Sequence, residues 1–137
     1  MQEITLPASI EKLDELLAFI EEAGGALPVS AANQAAINIA AEEIFVNVAN
    51  YAYPDADGEI AVSVGTDAGR IIIRFTDGGI PYDPLARPDP DTGLPAEERE
   101  IGGLGIFMVK KMMDAVRYEY VGGRNVLTIE KELGIKN

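Results

Sequence analysis

The segment IAVSVGTDAGRIIIRFTDGG, residues 60–79, decides the fold class of this chain. Ile60, Val62 and Val64 alternate with small or polar residues, the two-residue period of a half-buried strand. Thr66-Asp67-Ala68-Gly69 turns the chain. RIIIRFTD then returns with Ile71, Ile73 and Phe75 on one face and Arg70, Ile72 and Arg74 on the other, until Asp77-Gly78-Gly79 breaks it. The spacing predicts a β-hairpin with one apolar face, which other elements must cover.

The cover lies upstream. Ser30 is a helix N-cap candidate and opens the longest helical run, residues 31–53. Along it Ile37, Ala41, Ile44, Val48 and Ala52 recur every three or four positions. Pro54 stops it, because the residue before proline avoids the α region. Earlier, Ser9 caps a shorter run with Ile10, Leu13, Leu16, Leu17 and Ile20, closed by Gly24-Gly25. QEITL (2–6) alternates as a first strand.

Downstream, residues 80–101 hold five prolines and many acidic residues with little periodicity. A loop of this length is a functional lid or a disordered segment. A glycine-led helix follows over about 103–114, then strands 115–121 and 125–132 joined by Gly122-Gly123. The order β-α-α-β-β-loop-α-β-β predicts one domain, an α/β (α+β) two-layer sandwich whose mixed or antiparallel sheet is covered by helices on a single face.

Composition narrows the function classes. A length of 137 residues suits a single domain with a real core. The net charge of −12 disfavours nucleic acid and anionic membrane surfaces as partners. The chain has no cysteine and no histidine, which excludes disulfides, thiolate nucleophiles, Ser-His triads and Cys or His metal sites. Chemistry is left to carboxylates, amides, Lys, Arg and a metal held by oxygen. MQEITLPAS lacks the basic and apolar regions of a secretion signal, and the apolar stretch 101–109 is too short to span a bilayer. The expected location is the cytoplasm.

Three constellations can carry chemistry. Glu43 and Asn47 stand four residues apart and project from one helix face. A carboxylate there can act as a base and an amide oxygen suits Mg²⁺, while the same pair is also an ordinary solvated helix surface. Asp77-Gly78-Gly79 places a carboxylate at a strand end where backbone can approach a ligand such as adenine, or is a plain turn. Gly102-Gly103-Leu104-Gly105 opens a helix whose free amides and dipole suit an anion. It is no Walker loop, since no GK[ST] occurs, and Met108 stands where a dinucleotide fingerprint needs its third glycine.

EEIFVNVANYAYP (42–54), DGGIPYDP (77–84) and GGLGIFMVKKMMD (102–114) resemble, in order, the N box and the first and second glycine boxes of the GHKL (Bergerat-fold) ATPase superfamily. The branch they are most similar to is the serine-protein kinase anti-sigma factors, the RsbW-like proteins, and GGRNVLTIEKEL (122–133) resembles the way that branch closes its sheet.

The resemblance implies a Bergerat ATP-binding fold with ATP and Mg²⁺ as cofactors. By it, Asn47 coordinates Mg²⁺, Glu43 is the general base, Asp77 binds the adenine amino group, and Gly79 lets the ring approach. Gly103 and Gly105 present amides to the phosphates, and Asn50, Ile80, Pro81, Gly102 and Leu104 complete the nucleotide site. Residues from about 84 to 101 correspond to an ATP lid.

The implied function is a serine/threonine protein kinase that phosphorylates a STAS-type anti-anti-sigma partner and sequesters a sigma factor, commonly as a homodimer. Two departures bear on it. Tyr51 occupies the place of a histidine, and Ile101 that of an arginine found in some relatives. They leave open a non-catalytic module that uses nucleotide to control partner affinity. A histidine-kinase-type catalytic domain acting in trans is the other alternative.

Overall fold

The computed structural model describes residues 2–24, 29–53, 58–86 and 103–133. Within them lie β1 (Gln2–Pro7), α1 (Leu13–Ala23), α2 (Ala31–Asn47), β2 (Glu59–Asp67), β3 (Arg70–Asp77), α3 (Gly103–Met112), β4 (Ala115–Val121) and β5 (Arg124–Glu132). The strands form one sheet in the order β1-β2-β3-β5-β4, and every neighbouring pair is antiparallel. Of the mixed and antiparallel alternatives, the chain takes the second.

Register aligns the apolar positions into rows. Ile4, Val62, Phe75, Leu127 and Tyr118 form one row, and Val64, Ile73, Ile129 and Val116 the next. This face packs against Leu16 and Ile20 of α1, Ile37, Ala40, Ala41, Ile44 and Phe45 of α2, and Val109 of α3. Ile37, Phe45, Val62 and Ile73 have no exposed surface, so the two layers meet without water between them.

The two hairpins close through tight turns. Ala68 and Gly69 have φ of 52° and 78°, and Gly122 and Gly123 have 60° and 78°. Positive φ at both central residues gives the twist that antiparallel strands need, at some steric cost for Ala68.

The helix starts fall where the capping residues stand. Ser9 accepts from the Glu11 N–H and opens a 3₁₀ turn (Ile10–Lys12) that leads into α1. The Ser30 hydroxyl accepts from the Asn33 N–H at 3.1 Å. One boundary differs from expectation. The helix expected over 31–53 is regular only to Asn47 and then widens into a single π turn, Val48–Ala52. The wide turn ends with the Ala52 carbonyl accepting from the Ile80 N–H at 2.9 Å. A tertiary contact sets the end, and π turns concentrate at such functional helix ends. Of the expected lid, only Pro84–Ala86, a 3₁₀ turn, belongs to the described residues.

On the sheet's other face Glu130 is 7% exposed and bonded to Arg117 of β4 and Arg70 of β3. The Arg117 hydrogen bond holds its carboxyl below the usual glutamate value of 4.5, with Arg70 adding to it against the opposing effect of burial. A carboxyl lowered in the folded state adds stability above its unfolded value and loses it as pH falls through the folded one. Glu130→Gln is therefore expected to show its full stability deficit at pH 7 and a shrinking deficit below about pH 4.5, read from urea unfolding of both proteins across pH. A deficit independent of pH contradicts the ionic origin.

Candidate functional site

The inward stripes of two strands end on polar residues. Ile71, Ile73 and Phe75 are followed on β3 by Asp77, and Ile129 and Leu127 are preceded on β5 by Asn125. Register sets Asp77 opposite Asn125, and both are 4% exposed. Carboxylate and amide groups this deep require partners. The Asn125 Nδ2 donates to Asp77 Oδ1 at 2.9 Å and to the Ile80 carbonyl at 2.8 Å. Its Oδ1 accepts from the Tyr82 N–H at 3.0 Å and from the Tyr118 hydroxyl. Burial is the main cause that pushes the Tyr118 hydroxyl above its ordinary value of 10.0, which keeps it a donor.

Asp77 Oδ1 accepts a second bond from the Gly79 N–H at 2.9 Å. The carboxylate's other oxygen takes part in neither. The chain then runs against the end of α2. A Cβ on Gly79 would lie 2.2 Å from the Ala52 carbonyl oxygen, so only glycine fits that approach. The Tyr53 hydroxyl ties the same region together, accepting from the Gly78 N–H at 2.9 Å and donating to the Glu59 carbonyl at 2.7 Å.

These contacts frame a pocket that is continuous with solvent. Ile44, Asn47, Val48 and Ala52 form its helical wall. Phe75, Asp77, Asn125, Leu127 and Tyr118 form its floor, with Tyr82, Pro84 and Ile106 at the sides. Two polar side chains of the pocket stand out. Asp77 faces it from the sheet, and Asn47, 8% exposed, faces it from α2 with a buried Nδ2 that has no hydrogen-bond partner among the described residues. A buried donor left unmade costs about 1–3 kcal/mol, a cost that a polar ligand removes.

The donor set also fits a hard divalent cation. Asn47 offers an amide oxygen to the pocket, and Glu43 stands half-buried one turn earlier on the same helix. Among the described residues no cluster of three acidic side chains could hold a metal by itself. Mg²⁺ is commonly held by one or two protein oxygens together with phosphates and water, and this arrangement suits it.

Of the expected site residues, the fold brings Asn47 and Asp77 to one pocket. Glu43 flanks it without lining it. Asn50 and Pro81 are exposed, as is Ile80 at 52%, whose backbone nonetheless bonds Ala52 and Asn125. Gly103, Leu104 and Gly105 form the first turn of α3, and Gly102 and Ile101 lie outside the described residues. Tyr51 stacks on Tyr82 with centroids 5.3 Å apart. Sequence reasoning missed Asn125, Tyr118 and Tyr82. Asn125 had a signal, being a polar residue at an inward position of an alternating strand.

The two glycines of the loop carry different constraints. Gly78 has no atom nearer than 4.0 Å to a notional Cβ, while Gly79 meets backbone at 2.2 Å. Gly79→Ala is expected to cost about 1–3 kcal/mol, the usual penalty of overpacking, and Gly78→Ala much less, both read from thermal unfolding. Equal effects would contradict the packing described.

Among the described residues no helix is long and apolar enough to cross a membrane. Comparison with known proteins gives a consistent result. Serine-protein kinase RsbW of Listeria monocytogenes is 32% identical over 96 residues, covering 66% of this chain and 61% of that protein. RsbW of Bacillus cereus is 30% identical over 95 residues, covering 66% and 59%. The chain thus spans less than two thirds of the length of either relative. The RsbU and RsbW domains of a Mycobacterium tuberculosis protein align with 97% of this chain and 33% of theirs, with a TM-score of 0.62 and 15% identity, a likeness of fold. A family model described as the histidine kinase-like ATPase domain matches residues 6–131, from the first strand to the last and through Asn47, Asp77 and Asn125. The chain belongs to the histidine kinase-like ATPase domain family.

Proposed function

We propose that this chain binds ATP with Mg²⁺ in the pocket between α2 and the sheet and is a serine/threonine protein kinase. Its substrate would be a STAS-type anti-anti-sigma protein, and a sigma factor the regulator it sequesters, with a homodimer as the working form. The family and its RsbW-named relatives support the ATP-binding part. The single observation that carries it is the buried Asn47 Nδ2, without a hydrogen-bond partner among the described residues, on a side chain that lines the same pocket as Asp77.

In this reading the Asp77 carboxylate accepts the adenine amino group, Ile44, Val48 and Ile106 contact apolar parts of the ligand, and the first turn of α3 offers amides to phosphate. Asn47 lends its amide oxygen to Mg²⁺, which when bound neutralises phosphate charge. Glu43 takes the proton of a partner hydroxyl as that oxygen bonds to the γ-phosphorus. The bond from the γ-phosphorus to the bridging oxygen breaks, and ADP leaves. Phosphoryl transfer asks mainly for such positioning and charge placement.

A second reading, a nucleotide-dependent binding module without transfer, draws on Tyr51, whose ring is committed to stacking on Tyr82.

Calorimetric titration with ATP is the test. Wild type is expected to bind with an affinity raised by Mg²⁺. Asn47→Ala should lose that Mg²⁺ dependence, and Asp77→Asn should weaken binding roughly 10- to 100-fold, the range of a charge-assisted hydrogen bond. Absence of saturable binding by wild type would end the ATP reading. With a phosphorylatable partner in hand, Glu43→Gln should slow transfer by about 10²–10⁴-fold, and an unchanged rate would remove Glu43 as the base.

A further inference from the structure

Asn125 uses its whole hydrogen-bonding capacity. An amide side chain has two N–H donors and an oxygen with two lone pairs. Here both donors are engaged, by Asp77 Oδ1 and the Ile80 carbonyl, and the oxygen is engaged twice, by the Tyr82 N–H and the Tyr118 hydroxyl. Two of these partners have fixed polarity, since a backbone N–H can only donate and a carbonyl can only accept. The amide therefore has one orientation, and a flip would set N–H against N–H at Tyr82 and oxygen against oxygen at Ile80.

That fixed orientation is passed on to Asp77. Its Oδ1 receives N–H groups from both Asn125 and Gly79. These two bonds pin the carboxylate plane and leave the other oxygen to act as an acceptor toward a ligand. Asn125 also lines the pocket, so it sits beside whatever Asp77 meets.

We infer that Asn125 is a positioning residue that makes the sheet-side wall of this pocket a dedicated acceptor and thereby selects a purine bearing an exocyclic amine over its oxo counterpart. The inference rests on the ATP reading above and goes beyond it, by assigning base selectivity to a residue other than the carboxylate. ATP presents an amine at purine position 6. ITP presents a carbonyl there and hydrogen on the neighbouring ring nitrogen. Oxygen facing a pinned carboxylate oxygen has no hydrogen bond to make.

The test is competition of ATP and ITP for wild type, Asn125→Leu and Asn125→Asp, with circular dichroism and thermal unfolding run on each protein. Asn125→Asp keeps the shape and both acceptor bonds, to Tyr82 and Tyr118, while removing the donors to Asp77 and to the Ile80 carbonyl. Wild type is expected to favour ATP roughly 10- to 100-fold, as one charge-assisted hydrogen bond predicts. In whichever variant stays folded, the ratio is expected to fall to within about threefold of unity.

A variant that binds ATP more weakly but keeps the wild-type ratio overturns the proposal, leaving Asn125 a structural residue. Wild type that binds both nucleotides equally overturns it while sparing the ATP reading. Wild type that binds neither overturns both. Should neither variant fold, the Asn125 side-chain amide resonances of wild type decide. Slow solvent exchange, with displacement by ATP larger than by ITP, supports the role, and equal displacement by both overturns it.

Discussion

A carboxylate in the helix-facing row of a sheet imposes a demand on everything around it. Burying Asp77 without partners would cost more than the neighbouring apolar contacts return. The fold meets the demand locally, with an amide from the opposed strand position and a backbone N–H two residues on. Both partners are acceptor-satisfying donors, so Asp77 remains an open acceptor on its pocket side. The apolar sandwich around it supplies rigidity. Ile73, Phe75 and Ile129 are locked under α2, which keeps the strand ends, and hence the Asp77–Asn125 pair, in register.

The end of α2 answers the same constraint from the other wall. The π turn brings the Ala52 carbonyl to the Ile80 N–H, and Gly79 allows that approach. Tyr53 fastens the turn to the start of β2 and to Gly78. The loop that follows Asp77 is thus tied to the sheet through Asn125 and to the helix through Ala52. Asn47 sits one turn before this junction, buried and with an unused amide donor. Rigid walls with a few unsatisfied or half-satisfied polar groups between them are the general form of a ligand site.

Much of this was legible from spacing alone. Alternation in residues 60–77 gave the hairpin, its buried face and the turn, and Ser9 and Ser30 marked helix starts that their hydroxyls do cap. Those features are local, so local sequence encodes them. The end of α2 was not legible, because an Ile80–Ala52 contact across 28 positions decides it. Gly79 was read as room for a ligand. Its nearest constraint is the chain's own backbone, which only the packed tertiary structure reveals. Asn125 passed unnoticed inside an unremarkable strand, although the stripe it shares with Leu127 and Ile129 should have ended on another apolar residue. Glu43 and the glycines at the start of α3 were legible as motif members. Their positions in the fold are compatible with that reading and do not by themselves assign a role.

Hydrogen–deuterium exchange with and without saturating Mg-ATP would test most directly that the pocket between α2 and the sheet is the nucleotide site. Amides in 47–53 and 78–82 should exchange more slowly when nucleotide is present, with those in the Ala68-Gly69 and Gly122-Gly123 turns unchanged. Saturable binding without slowing in either segment, or with slowing confined to other parts of the chain, would place the nucleotide elsewhere and contradict the site described.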